Sequence, residues 1–169
     1  MTYAVVNLAG AQPIETTSTV QKHPIGQLCR GTDPTYGQGE FVYLLGVAST
    51  LVGSVVTYNA TTGQTALSVA STDKFTGNSV AVAMSANVGS QYGWYQISGL
   101  AVIKKTAVAV GPKVSLYLSG TNGRVKVIAS GGMLIEGCKS ANLASVTTTT
   151  STVTALIDRP HIMGPATLV

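Results

Sequence analysis

Charged residues are scarce in this sequence, and their scarcity limits what the protein can do. Only 9% of the 169 residues are charged, against roughly a quarter in ordinary soluble domains. Such a chain is expected to cover part of its surface with other protein, because bare apolar patches promote aggregation. We therefore predict assembly with other copies or other proteins. The alternative is a monomer whose surface consists of Thr, Ser, Asn and Gly.

Acidic residues are the rarest charged group, and motifs for catalysis are missing. The chain has six acids, which leaves few candidates for a general acid and base pair. It contains no Gly-x-Ser-x-Gly elbow, phosphate-binding loop or His-Glu-x-x-His motif. His23 and His161 each adjoin a proline in a terminal segment, where a solvated or backbone-bonded imidazole is expected. We predict no enzyme activity, no metal and no cofactor.

Long apolar runs and clustered basic residues are also missing. Hydrophobic residues make up 45% of the chain and its mean hydropathy is +0.33, yet no run approaches the roughly 20 residues that cross a bilayer. The first residues lack a basic leader, so we expect no signal peptide and no membrane partner. The net charge is +4, but the basic residues are scattered and no aromatic residues interleave with them. We therefore predict no direct binding of nucleic acid.

Only two cysteines are present, Cys29 and Cys138. They are too few for a disulfide framework and too far apart for a zinc signature. We expect two small, partly buried thiols. A single bridge between them remains open.

The residues that are present favour short β-strands organised around residues 80–102. After a turn, Trp94 falls on one face of a strand with Tyr92 and Gln96, whereas Tyr95 falls on the other face with Ile97. We predict a central hairpin here. A large aromatic residue on each face suggests that Trp94 or Tyr95 joins copies of the chain, the alternative being that Trp94 belongs to the core.

Turn signals between the other strands define the predicted fold. Residues 55–58 and 64–69 should form one hairpin, and Asn122-Gly123 should close another with a type I′ turn. No convincing helix exceeds a turn or two. We predict an all-β fold, a small antiparallel β-sandwich or barrel of jelly-roll or β-tulip type. Its predicted parts are an extended N-terminal arm and loop (1–38), the β-domain (39–160) and a C-terminal tail (161–169).

Four blocks of sequence carry a resemblance to a known family. They are residues 33–44 (DPTYGQGEFVYL), 46–50 (GVAST), 82–87 (VAMSAN) and 91–97 (QYGWYQI). Together they resemble the decoration, or cement, proteins that coat the outside of the mature icosahedral head of tailed phages. The resemblance implies a trimer, or else a dimer, bound to the major capsid protein on the outer surface of the virion after synthesis in the host cytoplasm. It implies no catalytic residues.

Such a protein would hold capsid subunits together by burying surface across their junctions. We expect the arm and the following loop to contact the capsid, where an extended segment can add a strand to a sheet edge. The candidate contact residues are Lys22, Pro24, Arg30, Asp33 and Tyr36. Two alternatives stay open. One is a carbohydrate-binding β-sandwich that uses Tyr92, Tyr95 or Tyr117 for stacking; the other is a head-fibre or spike component, for which a hydrolase is the weakest version.

Overall fold

The computed structural model describes residues 4–5 and 12–165, and it confirms the all-β prediction. Strands account for 46% of the described residues and helix for 3%. The strands form one curled antiparallel sheet that closes into a half-barrel. No helix in the described part of the chain is long and apolar enough to cross a bilayer.

Twelve strands and one helical turn make up the described residues. In chain order they are β1 (Ala4–Val5), β2 (Thr17–Ser18), β3 (Leu28–Asp33), β4 (Gly37–Leu45), β5 (Val55–Tyr58), β6 (Thr65–Leu67), α1 (Ala70–Asp73), β7 (Val80–Ala83), β8 (Tyr92–Lys104), β9 (Ser115–Leu118), β10 (Val125–Lys126), β11 (Leu134–Ser140) and β12 (Thr152–Ile162). The main path through the sheet is β1-β3-β4-β8-β12-β11-β9-β10. Strands β5, β6 and β7 form a side branch that reaches β8 through β7.

Strand β8 is the centre of the sheet. Its 13 residues pair with β2, β4, β7 and β12. Ala83 of β7 lies opposite Tyr95, so the predicted central hairpin is confirmed. Because β8 has a partner along both edges, the residues around Trp94 are fixed in place by backbone hydrogen bonds as well as by packing.

Three clusters of buried side chains form the core. The largest lies beneath β8, β9, β11 and β12 and includes Ile103 and Leu116. A second, aromatic cluster contains Tyr43 and Trp94, and a third contains Tyr95. Trp94 and Tyr95 therefore do point to opposite sides, as the alternation predicted. Both of those sides are inside the molecule.

The N-terminal segment is more closely integrated with the sheet than the sequence suggested. The segment predicted as an extended arm contains the short strand β2. Strand β3, however, was missed, and the predicted boundary between residues 38 and 39 falls inside β4. The inward positions of β3 are Cys29, Gly31 and Asp33, while Leu28 faces outward. The usual alternation of apolar and polar residues is therefore absent.

The hairpin of β9 and β10 is confirmed, but the predicted type I′ turn is wrong. Six residues separate Leu118 from its partner Val125, and of Asn122 and Gly123 only Gly123 has a positive φ, 68°. The loop is held open by tertiary contacts, since Gly123 donates its N–H to the carbonyl of Ser68 at 2.8 Å. The β5–β6 hairpin is confirmed without such a change.

Candidate interaction surface

One face of the sheet remains in contact with solvent, and the strand register shows which residues share it. Directly opposed residues in an antiparallel sheet lie on the same face. Arg30 of β3 lies opposite Glu40 of β4, Glu40 lies opposite Ser98 of β8, and Ser98 lies opposite Asp158 of β12. Arg30 and Asp158 are exposed, and the other two are half-buried.

The same face continues toward the other end of β8. Leu100 lies opposite Leu156 of β12, and Leu156 lies opposite Lys139 of β11. Leu156 is 44% exposed although it is a large apolar side chain in the middle of a sheet. Lys104 lies opposite Thr152 at the far end. We call this surface the outer sheet face and define it by Arg30, Glu40, Ser98, Leu100, Lys104, Lys139, Thr152, Leu156 and Asp158.

An ion-pair network fixes one end of the outer sheet face. Glu40 contacts Arg30 at 2.7 Å and Arg159 at 2.9 Å, which ties together β3, β4 and β12. The two arginine side chains are 68% and 60% exposed. Exposed pairs of this kind contribute only about 0–1 kcal/mol each. Their larger effect is to hold two guanidinium groups, each with further N–H donors, at a defined place on the surface.

A groove lies at the other end of the outer sheet face, between the turn before β9, the end of β11 and the loop that follows β11. Its volume is about 730 Å³. We call it the Leu156 groove; it is lined by Pro112, Lys113, Lys139, Ser140, Ala141, Asn142, Leu143 and Leu156.

The predicted capsid-contact residues have different surroundings. Lys22, Pro24 and Arg30 are exposed, and Arg30 belongs to the outer sheet face. Asp33 is only 4% exposed, and its carboxylate accepts the N–H groups of Thr35 at 2.7 Å and of residue 36 at 2.9 Å. It closes a turn in the protomer, and its contact with the capsid stays a prediction.

Tyr36, the last predicted contact residue, is half-buried against the aromatic cluster. Ile14 is buried in that cluster as well. Both residues belong to the segment predicted as an arm. They show that this segment contributes to the core and does not only extend from it.

The prediction that Trp94 or Tyr95 joins copies of the chain is wrong, because neither side chain reaches the surface. Both have 0% exposure. The Trp94 ring packs against Tyr43 and His23, with centroids 5.1 and 5.2 Å away. Burial raises the pKa of Tyr95 to about 12, although a hydrogen bond with Thr65 acts in the opposite direction. The alternative interpretation of Trp94 as a core residue is confirmed.

The tyrosines suggested as a glycan-stacking platform are also covered. Tyr95 is buried, and Tyr92 and Tyr117 are half-buried. The ring of Tyr92 stacks on Tyr43 with centroids 6.1 Å apart. Within residues 4–5 and 12–165 the one exposed aromatic side chain is Phe75. These residues offer no pair of exposed rings on which a sugar could stack.

Several acids have structural partners. The carboxylate of Glu136 lies 3.1 Å from the His161 ring, and Asp73 accepts the N–H of Val69 at 2.7 Å. Cys29 and Cys138 are buried free thiols, as predicted, with no bridge between them. In the described part of the chain no three Cys, His, Asp or Glu side chains come close enough together to hold a metal ion.

Lys105, which no motif in the sequence singles out, is fully buried. Its Nζ donates to the carbonyls of Val108 at 2.8 Å and Thr147 at 2.9 Å. Burial lowers the pKa of this lysine. The signal was available, because Ile103 points inward and a period of two places Lys105 on the same side.

Comparisons with known proteins add no relative. No protein-family model matches the chain, and neither a curated protein nor a solved structure is significantly similar to it.

Proposed function

We propose that this protein is a capsid decoration, or cement, protein that binds the outer surface of an icosahedral phage head and stabilises contacts between major capsid protein subunits. The outer sheet face is the observation that supports this proposal. It presents Leu100 and Leu156 beside charged residues, on a chain in which charge is scarce. A sheet face of this kind can be buried against a partner with little rearrangement.

The dimensions of the outer sheet face suit a repeated contact of moderate strength. Its residues lie on the five neighbouring strands β3, β4, β8, β12 and β11. At about 4.8 Å between strands, this corresponds to about 20 Å across the sheet. One such contact is modest for a protein interface. A decoration protein is present in many copies, and an oligomer that engages several subunits at once multiplies modest contacts.

The charges of the outer sheet face favour an acidic partner surface. Arg30, Lys104 and Lys139 lie on it and Arg159 reaches it through Glu40, whereas Asp158 and Glu40 are its acids. Positive groups therefore outnumber negative ones. Complementary charge across an interface accelerates association and selects among partners. We propose that the major capsid protein presents acidic residues where this face docks.

The proposal retains a homo-oligomer, a trimer in preference to a dimer, without any role for Trp94 or Tyr95. Exposed apolar side chains elsewhere remain for such a contact. Leu51 and Val52 lie in the turn before β5 and are 51% and 55% exposed. The glycan-binding alternative has less support, because Tyr92, Tyr95 and Tyr117 are covered.

Binding to heads tests the proposal. Heads of the phage that encodes this chain, prepared without it, are mixed with purified protein, and the bound protein is measured after sedimentation. We expect saturable binding that Lys104→Glu weakens at least tenfold, because it reverses a charge on the outer sheet face. Lys74→Glu makes the same charge change outside that face and should bind as the wild type does. Absence of binding by the wild-type chain would refute the proposed function.

A further inference from the structure

We propose that the Leu156 groove binds an extended acidic segment of a partner protein, with carboxylates against Lys113 and Lys139 and an apolar side chain against Leu156. The groove is within the size range of about 300–1,000 Å³ in which proteins bind compact ligands or side chains. The inference that the groove binds an acidic segment does not depend on whether the partner is a capsid protein. Only the identification of the partner with a capsid subunit rests on the proposed function.

The wall that carries Lys113 is held in a fixed conformation. Ser140 is 2% exposed; its hydroxyl donates to the carbonyl of Gly111 at 2.7 Å and accepts the N–H of Val114 at 2.9 Å. The N–H of Lys113 donates to the carbonyl of Ser140 at 3.1 Å. One buried serine therefore locks the whole turn over residues 111–114. Lys113 itself has a φ of 59°, in the region that favours glycine.

The opposite wall, which carries Leu143, is fixed in a similar way. The side-chain amide of Asn142 donates to the carbonyl of Val110 at 3.1 Å and to that of Ala144 at 2.6 Å. Leu143 is left fully exposed at the rim. With both walls pinned by side-chain hydrogen bonds, the groove exists before anything enters it. A site with a preformed backbone loses less conformational entropy on binding than one that must first be ordered.

The chemistry of the lining selects the ligand. Leu156, Leu143 and Pro112 supply apolar surface, and Lys113 and Lys139 are its charged residues. No acidic side chain lines the groove, whereas Glu136 and Asp158 line an adjoining opening of about 510 Å³ that shares Lys139 and Leu156. A bound segment would thus place its acidic part beside Lys113. Its other end would lie toward Asp158, which gives the segment a preferred direction.

Other ligands fit this lining less well. No aromatic ring lines the groove, and proteins that bind single-stranded nucleic acid use aromatic rings to stack bases. A second copy of this chain carries a net charge of +4. Among the described residues its acids with exposed side chains are Glu15, Glu136 and Asp158, which are far apart in the sequence, so it offers no acidic stretch. The apolar surface and the two lysines together therefore point to an acidic segment of a different protein.

A labelled peptide tests this inference on the full chain. The probe is a ten-residue fluorescent peptide in which Asp and Leu alternate, and binding is followed by fluorescence anisotropy. We expect the double variant K113Q/K139Q to bind it at least tenfold more weakly than the wild type. The control K74Q/K126Q loses the same two charges from positions outside the groove and should bind normally. L156S should weaken binding without altering its salt dependence.

Each other outcome has a definite meaning. Equal binding by K113Q/K139Q and by K74Q/K126Q would overturn the inference, as would tighter binding of a DNA oligonucleotide that competes with the peptide. Self-association that K113Q/K139Q abolishes in sedimentation would assign the groove to a second copy and overturn it too. Peptide binding without head binding would support the groove as a binding site and refute the proposed decoration function. Undiminished head binding by K113Q/K139Q would show that the partner that occupies the groove is not the capsid.

Discussion

The two halves of strand β8 have different surroundings, although they form one continuous strand. Residues 92–97 are covered on both faces, so that Trp94 lies in the aromatic cluster and Tyr95 in the cluster on the other side. Residues 98–104 are covered on one face only. Ala101 and Ile103 are buried, while Leu100 and Lys104 are half-exposed. Gly99 lies at the junction between these halves.

This difference shows where an interaction surface can lie in such a molecule. Large aromatic side chains are common in protein interfaces. For that reason Trp94 and Tyr95, in the first half of β8, were predicted to join copies of the chain. There both faces of the strand are covered, one by the aromatic cluster and the other by buried side chains of β4, β5 and β7. The second half has less conspicuous residues but remains open. The comparison predicts that changes in the first half affect folding and changes in the second affect binding.

Removing the largest buried side chain tests the first half of this comparison. We expect Trp94→Ala to lower the free energy of unfolding by about 3–5 kcal/mol, because it leaves a large cavity in the aromatic cluster. Leu156→Ala, on the outer sheet face, should cost less than about 1 kcal/mol. Urea denaturation followed by circular dichroism measures both. Similar losses for the two variants would contradict the distinction between the halves.

Substitution at the junction between the halves should lower the stability nearly as much. Gly99 has a φ of 99°, and a Cβ there would collide with the carbonyl oxygen of Gln38. We expect Gly99→Ala to cost at least about 2 kcal/mol, through backbone strain and displacement of β4. Gly120 provides a matched control, since a Cβ at that position has no atom within 4 Å. The comparison is made by thermal denaturation, and a Gly99→Ala variant as stable as Gly120→Ala would refute it.

Alkaline pH should destabilise both halves through the groups buried beneath them. Burial raises the pKa of Cys29 and of Cys138 from 9.0 to about 12. Below pH 9 the thiols keep their protons whether the chain is folded or not. As the pH rises from 9 toward 12, the unfolded chain loses these protons first, so the free energy of unfolding falls. The effect is about 2 kcal/mol per thiol by pH 10.5.

Urea denaturation at pH 8 and pH 10.5 measures this loss. Cys138→Ala should show a smaller decrease between the two pH values than the wild type, because one of the two buried thiols is gone. Lys105 acts in the opposite direction, since burial lowers its pKa. An identical decrease in the wild type and the variant would show that Cys138 does not contribute.

The smallest expected loss of stability comes from removing the ion pairs of the outer sheet face. Glu40→Gln removes the charge that pairs with Arg30 and Arg159, and it should cost only about 0–1 kcal/mol per pair. The cost should shrink further in 1 M salt, where exposed charges are screened. A loss larger than that of Gly99→Ala would mean that this network supports the fold and does not only order the surface.

The sequence predicted the fold class and the hairpins because these depend on local patterns. Alternation and turn residues identified β5 with β6, β7 with β8, and β9 with β10. Strand β3 was missed because its inward positions hold Cys29, Gly31 and Asp33, which do not form an apolar stripe. The type I′ turn at Asn122-Gly123 was predicted from a dipeptide. A long-range hydrogen bond from Gly123 to Ser68 favours another conformation.

The candidate surface could be predicted only in part. Arg30, Lys22 and Pro24 were selected correctly as exposed residues. The outer sheet face depends on which strands are neighbours, and Leu100, Leu156 and Lys139 are adjacent only through the registers of β8, β12 and β11. The Leu156 groove is formed by the turn before β9, the end of β11, the loop after β11 and Leu156 of β12, which come together only in the folded sheet.

A cryo-electron microscopy map of the intact phage particle tests the central claim most directly. We predict density for this chain on the outside of the head. The outer sheet face, with Arg30 at one edge and Lys139 at the other, should lie against the major capsid protein, and Trp94 should lie inside the protomer. Finished particles that lack the chain, or a bound chain whose outer sheet face is turned toward solvent, would contradict the account.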